Sequence, residues 1–237
     1  MARLFHVSDL HFGRADQQAL DWFAASVRNE RPDAVIITGD LTMRARSAEY
    51  AAAAEWLAKL DVPLSIEPGN HDLPYYNPWK RIFSPYKRFR RIERALEKPL
   101  MVPGVWLVPL KTTARAQWRF NWSWGVVSRK SLEEALVLLE AKPPDHVALV
   151  ACHHPLVGKE EHGATLRGAK ALEVLSEAGA HAVLSGHVHD AFDFCRQGVR
   201  LIGAGTLSER VRLTRPSFNE LRVADGGLDV LTREMAS

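Results

Sequence analysis

The sequence predicts an α/β fold built from two packed mixed β-sheets that are flanked by helices. Two observations support this prediction. Short apolar segments alternate with helical patterns up to about residue 185, and a β-α-β-α-β order is typical of parallel sheets covered by helices. From residue 191 onward the apolar period becomes two, which is typical of antiparallel strands. We expect both parts to contribute to the two sheets.

The first part of the chain is predicted to hold three strands and two helices. Leu20, Phe23 and Val27 recur on one face of the first helix, and Ser47 is the predicted N-cap of the second. Because these segments alternate regularly, a parallel arrangement is favoured. The elements are strand 3–8, helix 16–30, strand 33–38, helix 47–60 and strand 62–67.

The second part is predicted to hold two helices and six strands. Ser131 and Glu134 form a predicted capping box, and Gly179 ends the later helix. The QG and DGG turns favour hairpins between the last strands. The elements are helix 131–141, strand 146–152, helix 167–178, strand 181–185, and strands 191–196, 199–205, 217–224 and 228–233.

Composition limits the function classes. The chain has 237 residues, of which 46% are hydrophobic and 25% charged, so we expect one globular domain over residues 1–237. A net charge of +3 gives no strong nucleic-acid signal. Only Cys152 and Cys195 are present, and neither a signal-peptide pattern nor a membrane-length apolar segment is found, so a cytoplasmic protein is expected.

Polar clusters follow five of the predicted parallel strands. The carboxyl ends of such strands form the edge at which open α/β sheets bind ligands, and packing histidines have no reason to gather there. Gly39, Gly69 and Gly186 allow tight turns at this edge. The clusters are Asp9-Leu10-His11, Gly39-Asp40, Gly69-Asn70-His71-Asp72, His153-His154-Pro155 and Gly186-His187-Val188-His189.

These residue types predict a metal centre. Imidazole nitrogens together with carboxylate and amide oxygens suit Mn, Fe, Zn or similar divalent ions. Seven such side chains can serve two ions if one carboxylate bridges them. Such a pair attracts an anion and, with a bridging hydroxide, carries its own nucleophile for displacement at phosphorus.

The ordered motifs DxH, GD, GNHD, H and GHxH, between residues 9 and 189, resemble those of the calcineurin-like metallophosphoesterase family. The segment GAGTLSERVRLTRPSFNEL resembles its bacterial branch of class III cyclic-nucleotide phosphodiesterases. The resemblance implies a four-layer αββα sandwich with a dimetal site at the carboxyl ends of the strands.

The resemblance also implies residue roles. One ion would be held by Asp9, His11, Asp40 and His189, and Asp40 would bridge to a second ion held by Asn70, His153 and His187. His154 would occupy the variable position of a His-x-Pro pattern. His71 would contact the phosphate and protonate the leaving oxygen, with Asp72 orienting it.

The expected function is therefore hydrolysis of a small anionic phosphoester, with a phosphodiesterase favoured by the branch resemblance. A phosphomonoesterase, or a hydrolase of nucleotides or lipid-linked pyrophosphates, would use the same site and stays open. A non-catalytic binding module is a weaker alternative, because all seven ligand positions are filled. The oligomeric state, including a homo-oligomer, also stays open.

A basic and aromatic insert near residues 74–98 follows the GNHD motif. Residues 79–94 hold seven basic residues and one acid, and their aromatic residues recur at helical spacing up to a break at Pro85. One interpretation is a pair of amphipathic helices with aromatic residues packed on the domain. The alternatives are a substrate cap using Arg88, Arg90 and Arg91, a contact with anionic membrane lipid, and a nucleic-acid contact.

Overall fold

The computed structural model describes residues 1–97, 100–116, 121, 123–158, 165–211 and 214–236. Ten strands form two five-stranded sheets. The strands are β1 (Ala2–Val7), β2 (Ala34–Ile37), β3 (Leu64–Ile66), β4 (Val105–Pro109), β5 (Val147–Ala151), β6 (Ala182–Ser185), β7 (Phe192–Arg196), β8 (Val199–Gly203), β9 (Ser217–Ala224) and β10 (Gly227–Glu234). The helices are α1 (Gln17–Glu30), α2 (Ser47–Ala58), α3 (Pro78–Phe83), α4 (Phe89–Leu96), α5 (Arg129–Glu140) and α6 (Gly168–Glu177).

Both sheets are mixed, as predicted. The first has the order β10-β9-β1-β2-β3, and the second has the order β4-β5-β6-β8-β7. The strands β1, β2 and β3 run parallel, as do β4, β5, β6 and β8. The last two strands return to the first sheet and pair antiparallel with β1 and each other.

Three apolar clusters define four layers. One cluster joins residues of both sheets, including Leu4, Ile36 and Leu149, and therefore lies between them. A second packs the outer face of the first sheet against α1, α2 and α4. A third packs the outer face of the second sheet against α5 and α6. The αββα sandwich implied by the family resemblance is confirmed.

Two predicted helix caps are wrong, and one of the two helices begins two residues before its predicted start. α2 begins at Ser47 itself, so Ser47 is not its cap; the carboxylate of Glu49 instead accepts from the backbone N–H of Arg46. α5 begins at residue 129, where Ser128 caps it by accepting from Ser131 N. In each case the chain enters the helix earlier than the predicted cap, so another residue accepts from the free backbone N–H groups at the helix start.

Strand β4 was not predicted, although its sequence VWLVP directly follows the turn signal Pro103-Gly104. The predicted hairpin turns are confirmed by their backbone conformation. Gln197 and Gly198 both have positive φ, as do Asp225 and Gly226, which is the backbone that two-residue hairpins need.

The insert forms α3 and α4, with the break near Pro85 that the sequence predicts. The predicted packing is only half right. In α4, Phe89 and Ile92 are buried in the first-sheet core. In α3, Trp79 and Phe83 stack on each other but are 74% and 70% exposed. Across the residues that the structure describes, no helix combines the length and apolar character that crossing a bilayer requires.

Candidate metal centre

The five polar motifs meet at one edge of the sandwich. Backbone hydrogen bonds tie their loops together: Asp9 N donates to Gly39 O at 3.0 Å, and His11 N donates to Asp40 O at 2.9 Å. Gly186 N donates to the carbonyl of His153 at 2.9 Å. The loops after β1 and β2 are therefore joined, as are those after β5 and β6.

The backbone at this edge is unusual. Five of the seven candidate ligands have positive φ, from 47° to 73°, a conformation that is uncommon for residues other than glycine. Such conformations cost free energy and persist where the surrounding structure enforces them, often at functional sites. The five residues are Asp9, His11, Asp40, His187 and His189.

Two glycines allow the loops to approach this closely. A Cβ atom at Gly69 would collide with the Asp40 side chain and backbone, and one at Gly186 would collide with Ser8 and Asp9. These positions therefore require glycine for close approach rather than for backbone freedom.

A first cluster consists of Asp9, His11 and His189, all nearly fully buried. The Nε2 atoms of His11 and His189 face each other at 3.1 Å, and His189 Nε2 lies 3.2 Å from Asp9 Oδ1. This oxygen is buried and has no hydrogen-bond partner among the described residues. If two nitrogen atoms each lie about 2.1 Å from one ion and the angle between them at the ion is about 90°, the nitrogen atoms are about 3 Å apart. The cluster therefore fits a divalent ion.

A second cluster lies beside it. His153 Nε2 is 3.1 Å from Asn70 Oδ1, and the rings of His153 and His187 are 5.2 Å apart between centroids. Asp40 stands between the clusters, because its Oδ2 atom is 3.4 Å from His153 Nε2 and 3.8 Å from His11 Nε2. One carboxylate thus faces both groups of donors.

His154 belongs to the same histidine group, but both of its ring nitrogens have other partners. Nδ1 lies 2.9 Å from Thr112 Oγ1, and Nε2 lies 2.8 Å from the carbonyl of Ser123. This agrees with the variable position that the family pattern gives to His154, and leaves Asn70 as the third donor near His153 and His187.

Backbone carbonyls orient the imidazole rings. His153 Nδ1 lies 2.7 Å from Thr38 O, and His189 Nδ1 lies 2.8 Å from Arg210 O. A carbonyl can only accept, so each Nδ1 carries a proton and Nε2 is the ring atom available to a metal ion. Carbonyl contacts of this kind are typical behind metal-binding histidines.

Electrostatics also favour cations here. Burial alone would raise the pKa of Asp9 and Asp40, but neighbouring imidazoles hold both values below their usual range. Burial opposes charge on His153, yet Asp40 and Asp9 raise its pKa to about 9. The two carboxylates are thus charged and attract positive charge into a buried site.

His71 lies at the edge of the first cluster. Its Nδ1 donates to the carbonyl of Met43 at 2.7 Å, and its backbone N donates to Asp40 Oδ1 at 2.8 Å. Burial lowers the pKa of its ring. The expectation that Asp72 orients this ring is wrong, because the Met43 carbonyl makes that contact.

Asp72 instead fixes the surrounding loops. Its carboxylate accepts from the backbone N–H groups of Leu41, Thr42 and Gly69. Burial, followed by the nearby Asp40, raises the pKa of Asp72 to about 7. The residue therefore joins the loop after β2 to the turn that carries His71.

Sequence reasoning missed Arg210. Its Nη1 atom lies 3.2 Å from His71 Nε2 and 3.3 Å from His11 Nε2. The residue lies in a loop before β9, remote from the five motifs, so no local spacing marks it. The only available signal was the tail segment that resembles the phosphodiesterase branch.

The three basic residues predicted as substrate contacts do not face one space. Arg88 and Arg91 line a cavity next to Asp72, whereas Arg90 lines only a second cavity, which Arg91 also lines. Arg88 also donates to the carbonyl of Ala45 at 2.7 Å.

Comparison with known proteins agrees with the fold and the motifs. The chain is 27% identical over 219 residues to 3′,5′-cyclic adenosine monophosphate phosphodiesterase CpdA of Escherichia coli, covering 84% of this chain and 74% of that protein. It is 35% identical over 80 residues to glycerophosphodiester phosphodiesterase GpdQ of Enterobacter lignolyticus, a match that spans 29% of each chain.

Among solved structures, a dimetal phosphatase from Danio rerio superposes with a TM-score of 0.71 at 16% identity, covering 98% of this chain and 96% of that one. The family model for calcineurin-like phosphoesterases matches residues 2–191. The chain therefore belongs to the calcineurin-like phosphoesterase family and is a metal-dependent phosphoric ester hydrolase.

Proposed function

We propose that this chain is a dimetal phosphodiesterase acting on a small anionic diester. The observation that carries the proposal is the position of Asp40, whose Oδ2 atom lies within 4 Å of imidazole nitrogens from both clusters. A carboxylate between two sets of nitrogen and oxygen donors suits a pair of ions.

The residue roles follow from the two clusters. Two divalent ions would polarise the phosphoryl oxygens and activate a water molecule. Asp9, His11 and His189 would hold one ion, Asn70, His153 and His187 the other, and Asp40 both. Mn, Fe and Zn all suit this donor set.

His71 is proposed as the proton donor to the leaving oxygen. Its Nδ1–H is engaged by Met43, so Nε2 is the atom that faces the site. The negative charge of a bound phosphoester favours the protonated ring, and the proton on Nε2 then passes to the departing oxygen.

Arg210 is proposed to bind a phosphate oxygen. Its guanidinium carries a permanent charge and several N–H donors, and it lies between His71 and the first cluster. When ions occupy the site, the same group is repelled from His11 and is available to the anionic substrate.

The names of the relatives support a diester. The Escherichia coli relative is named for a cyclic nucleotide and the Enterobacter relative for a glycerophosphodiester. In both kinds of molecule the phosphate forms two ester bonds to carbon through oxygen. Hydrolysis of a phosphodiester is what they share. The proposed substrate is therefore a small phosphodiester.

A substrate panel tests this proposal. The enzyme, reconstituted with Mn²⁺, Fe²⁺ or Zn²⁺, is assayed on bis-p-nitrophenyl phosphate, 3′,5′-cyclic AMP, glycerophosphocholine and p-nitrophenyl phosphate. We expect kcat/KM to be at least about 10-fold higher for one of the diesters than for the monoester, a difference of about 1.4 kcal/mol. A preference for p-nitrophenyl phosphate would identify a phosphomonoesterase, and no turnover of any of the three diesters with bound metal would contradict the proposal.

A further inference from the structure

A cavity of about 430 Å³ lies between the start of α2 and the insert helices α3 and α4. Its volume is within the range of small-molecule sites. Four basic side chains and two serine side chains are on its wall: Lys80, Lys87, Arg88, Arg91, Ser47 and Ser84. None of the seven candidate metal ligands lines it, so it is separate from the metal centre.

The cavity carries strong positive charge. Of the described residues on its wall, Asp72 alone is acidic; it is 1% exposed, and backbone N–H groups of Leu41, Thr42 and Gly69 occupy its carboxylate. No ion pair within the described part of the chain involves any of the four basic residues. Four unpaired like charges around one cavity attract an anion.

The residues that line the cavity also contact the loops that hold His71. Tyr50 Oη donates to Asp72 O at 2.5 Å, and Arg88 Nη1 donates to Ala45 O. Ala45 lies two residues beyond Met43, whose carbonyl orients the His71 ring. An anion that engaged Arg88 would compete with the Ala45 carbonyl and so act on this loop.

We propose that this cavity binds the phosphate group of a small phosphorylated molecule while the metal centre holds the ester to be cleaved. Charged hydrogen bonds from lysine and arginine to phosphate are strong, and the two serine hydroxyls add donors. The phosphate belongs either to the far end of the substrate or to a separate effector molecule. Binding in the cavity does not depend on which ester the metal centre cleaves.

The test is a count of phosphate sites by calorimetry on the metal-loaded enzyme, with inorganic phosphate as the probe. The double variant Lys80→Gln/Arg88→Gln removes two charges from the cavity. Its matched control, Arg28→Gln/Arg196→Gln, removes two charges from exposed side chains on α1 and β7 that do not line the cavity. We expect two sites per chain in the wild type and in the control, and one in the Lys80→Gln/Arg88→Gln variant.

Equal site counts in the two double variants would overturn the proposal. Because Arg88 also bonds Ala45, the variant Lys80→Gln alone, at an exposed side chain, keeps the test valid if the double variant folds poorly; it should weaken the cavity site severalfold. An unchanged affinity in Lys80→Gln would count against the proposal. No turnover is measured, so a wrong substrate class for the metal centre leaves the result intact.

Kinetics then assigns the source of the phosphate. If it is part of the substrate, the KM of a diester bearing a second, terminal phosphate rises more in Lys80→Gln/Arg88→Gln than in the control. If the phosphate belongs to a separate effector, the KM of this diester changes equally in the two double variants. Added phosphate then alters the turnover of bis-p-nitrophenyl phosphate in the control but has less effect in Lys80→Gln/Arg88→Gln.

Discussion

The metal-centre edge and the basic insert are neighbours in the chain but opposite in construction. At the edge, charged and polar side chains are buried, oriented by carbonyls and held on strained backbone. In the insert, the four basic residues of the cavity wall lack ion-pair partners among the described residues, and Trp79 and Phe83 are exposed. The edge is preorganised around a fixed set of donors, whereas the insert presents charge that an incoming molecule can use.

This difference teaches where each kind of change should act. Substitutions at the edge should affect ion binding and chemistry, because the donors there have no alternative arrangement. Substitutions in the insert should affect the binding of larger anions and leave the ions in place.

The largest expected effect is on turnover in Asp40→Asn. The amide can still accept from His71 N, but a neutral group cannot bridge two cations well, so hydrolysis of bis-p-nitrophenyl phosphate should fall to near the background rate. Asp193→Asn, which alters a carboxylate paired with Arg200 on the second sheet, is the control. Full turnover in Asp40→Asn would show that the proposed bridge is not needed.

His71→Ala should have the next largest effect. Loss of a general acid typically costs about 10²–10⁴-fold in rate, and both ions should remain bound because His71 is not a proposed ligand. The loss should shrink for substrates with p-nitrophenol as leaving group, which departs without a proton. Metal analysis of the variant distinguishes the two roles, because loss of an ion would show that His71 is a metal ligand.

Arg210→Gln should lower kcat/KM by about 10²-fold, the scale of one preorganised donor to a developing charge. Arg210→Lys should recover part of the loss, because it keeps the charge without the planar fork. Inhibition by inorganic phosphate should weaken in parallel. The surface residue Arg14, which pairs with Glu209, provides the control Arg14→Gln, and equal effects at both positions would rule out a direct role for Arg210.

The smallest expected effect is on stability in Glu67→Gln. Burial, followed by Glu97, raises the pKa of Glu67 well above its usual value, so the folded state binds this proton more tightly than the unfolded state. Stability should therefore fall as pH rises from the unfolded pKa of about 4.3 towards the folded pKa. A pKa that differs by one between the folded and unfolded states corresponds to about 1.4 kcal/mol of unfolding free energy.

Denaturant unfolding at pH 5 and pH 8 checks this prediction. Glu67→Gln should be more stable than the wild type at pH 8 and closer to it at pH 5. The exposed Glu55→Gln change on α2 should show no such gain. If the wild type instead gained stability relative to Glu67→Gln between pH 5 and pH 8, the predicted direction of the pKa shift would be wrong.

The sequence predicted the metal-centre edge far better than the insert or Arg210. Each motif directly follows a strand, so the parallel topology alone brings Asp9, Asp40 and His153 to one edge. Arg210 follows no strand and reaches the site only through the tertiary path of the loop before β9. No spacing rule contains that information.

Helix starts and exposed faces were predicted less well for a different reason. Ser47 and Ser131 both resemble caps in the sequence, but the N-cap positions are 46 and 128. One interpretation of the aromatic period of the insert was an aromatic face packed on the domain, yet only α4 contributes to the first-sheet core, whereas Trp79 and Phe83 of α3 are exposed. Local patterns indicate which residues are apolar, whereas tertiary packing decides which of them are covered.

The central claim is that one edge holds two ions bridged by Asp40, and metal analysis of the purified, dialysed protein tests it most directly. We predict two divalent ions per chain in the wild type and in Asp193→Asn, and at most one in Asp40→Asn. A single ion in the wild type, or two firmly bound ions in Asp40→Asn, would contradict the account.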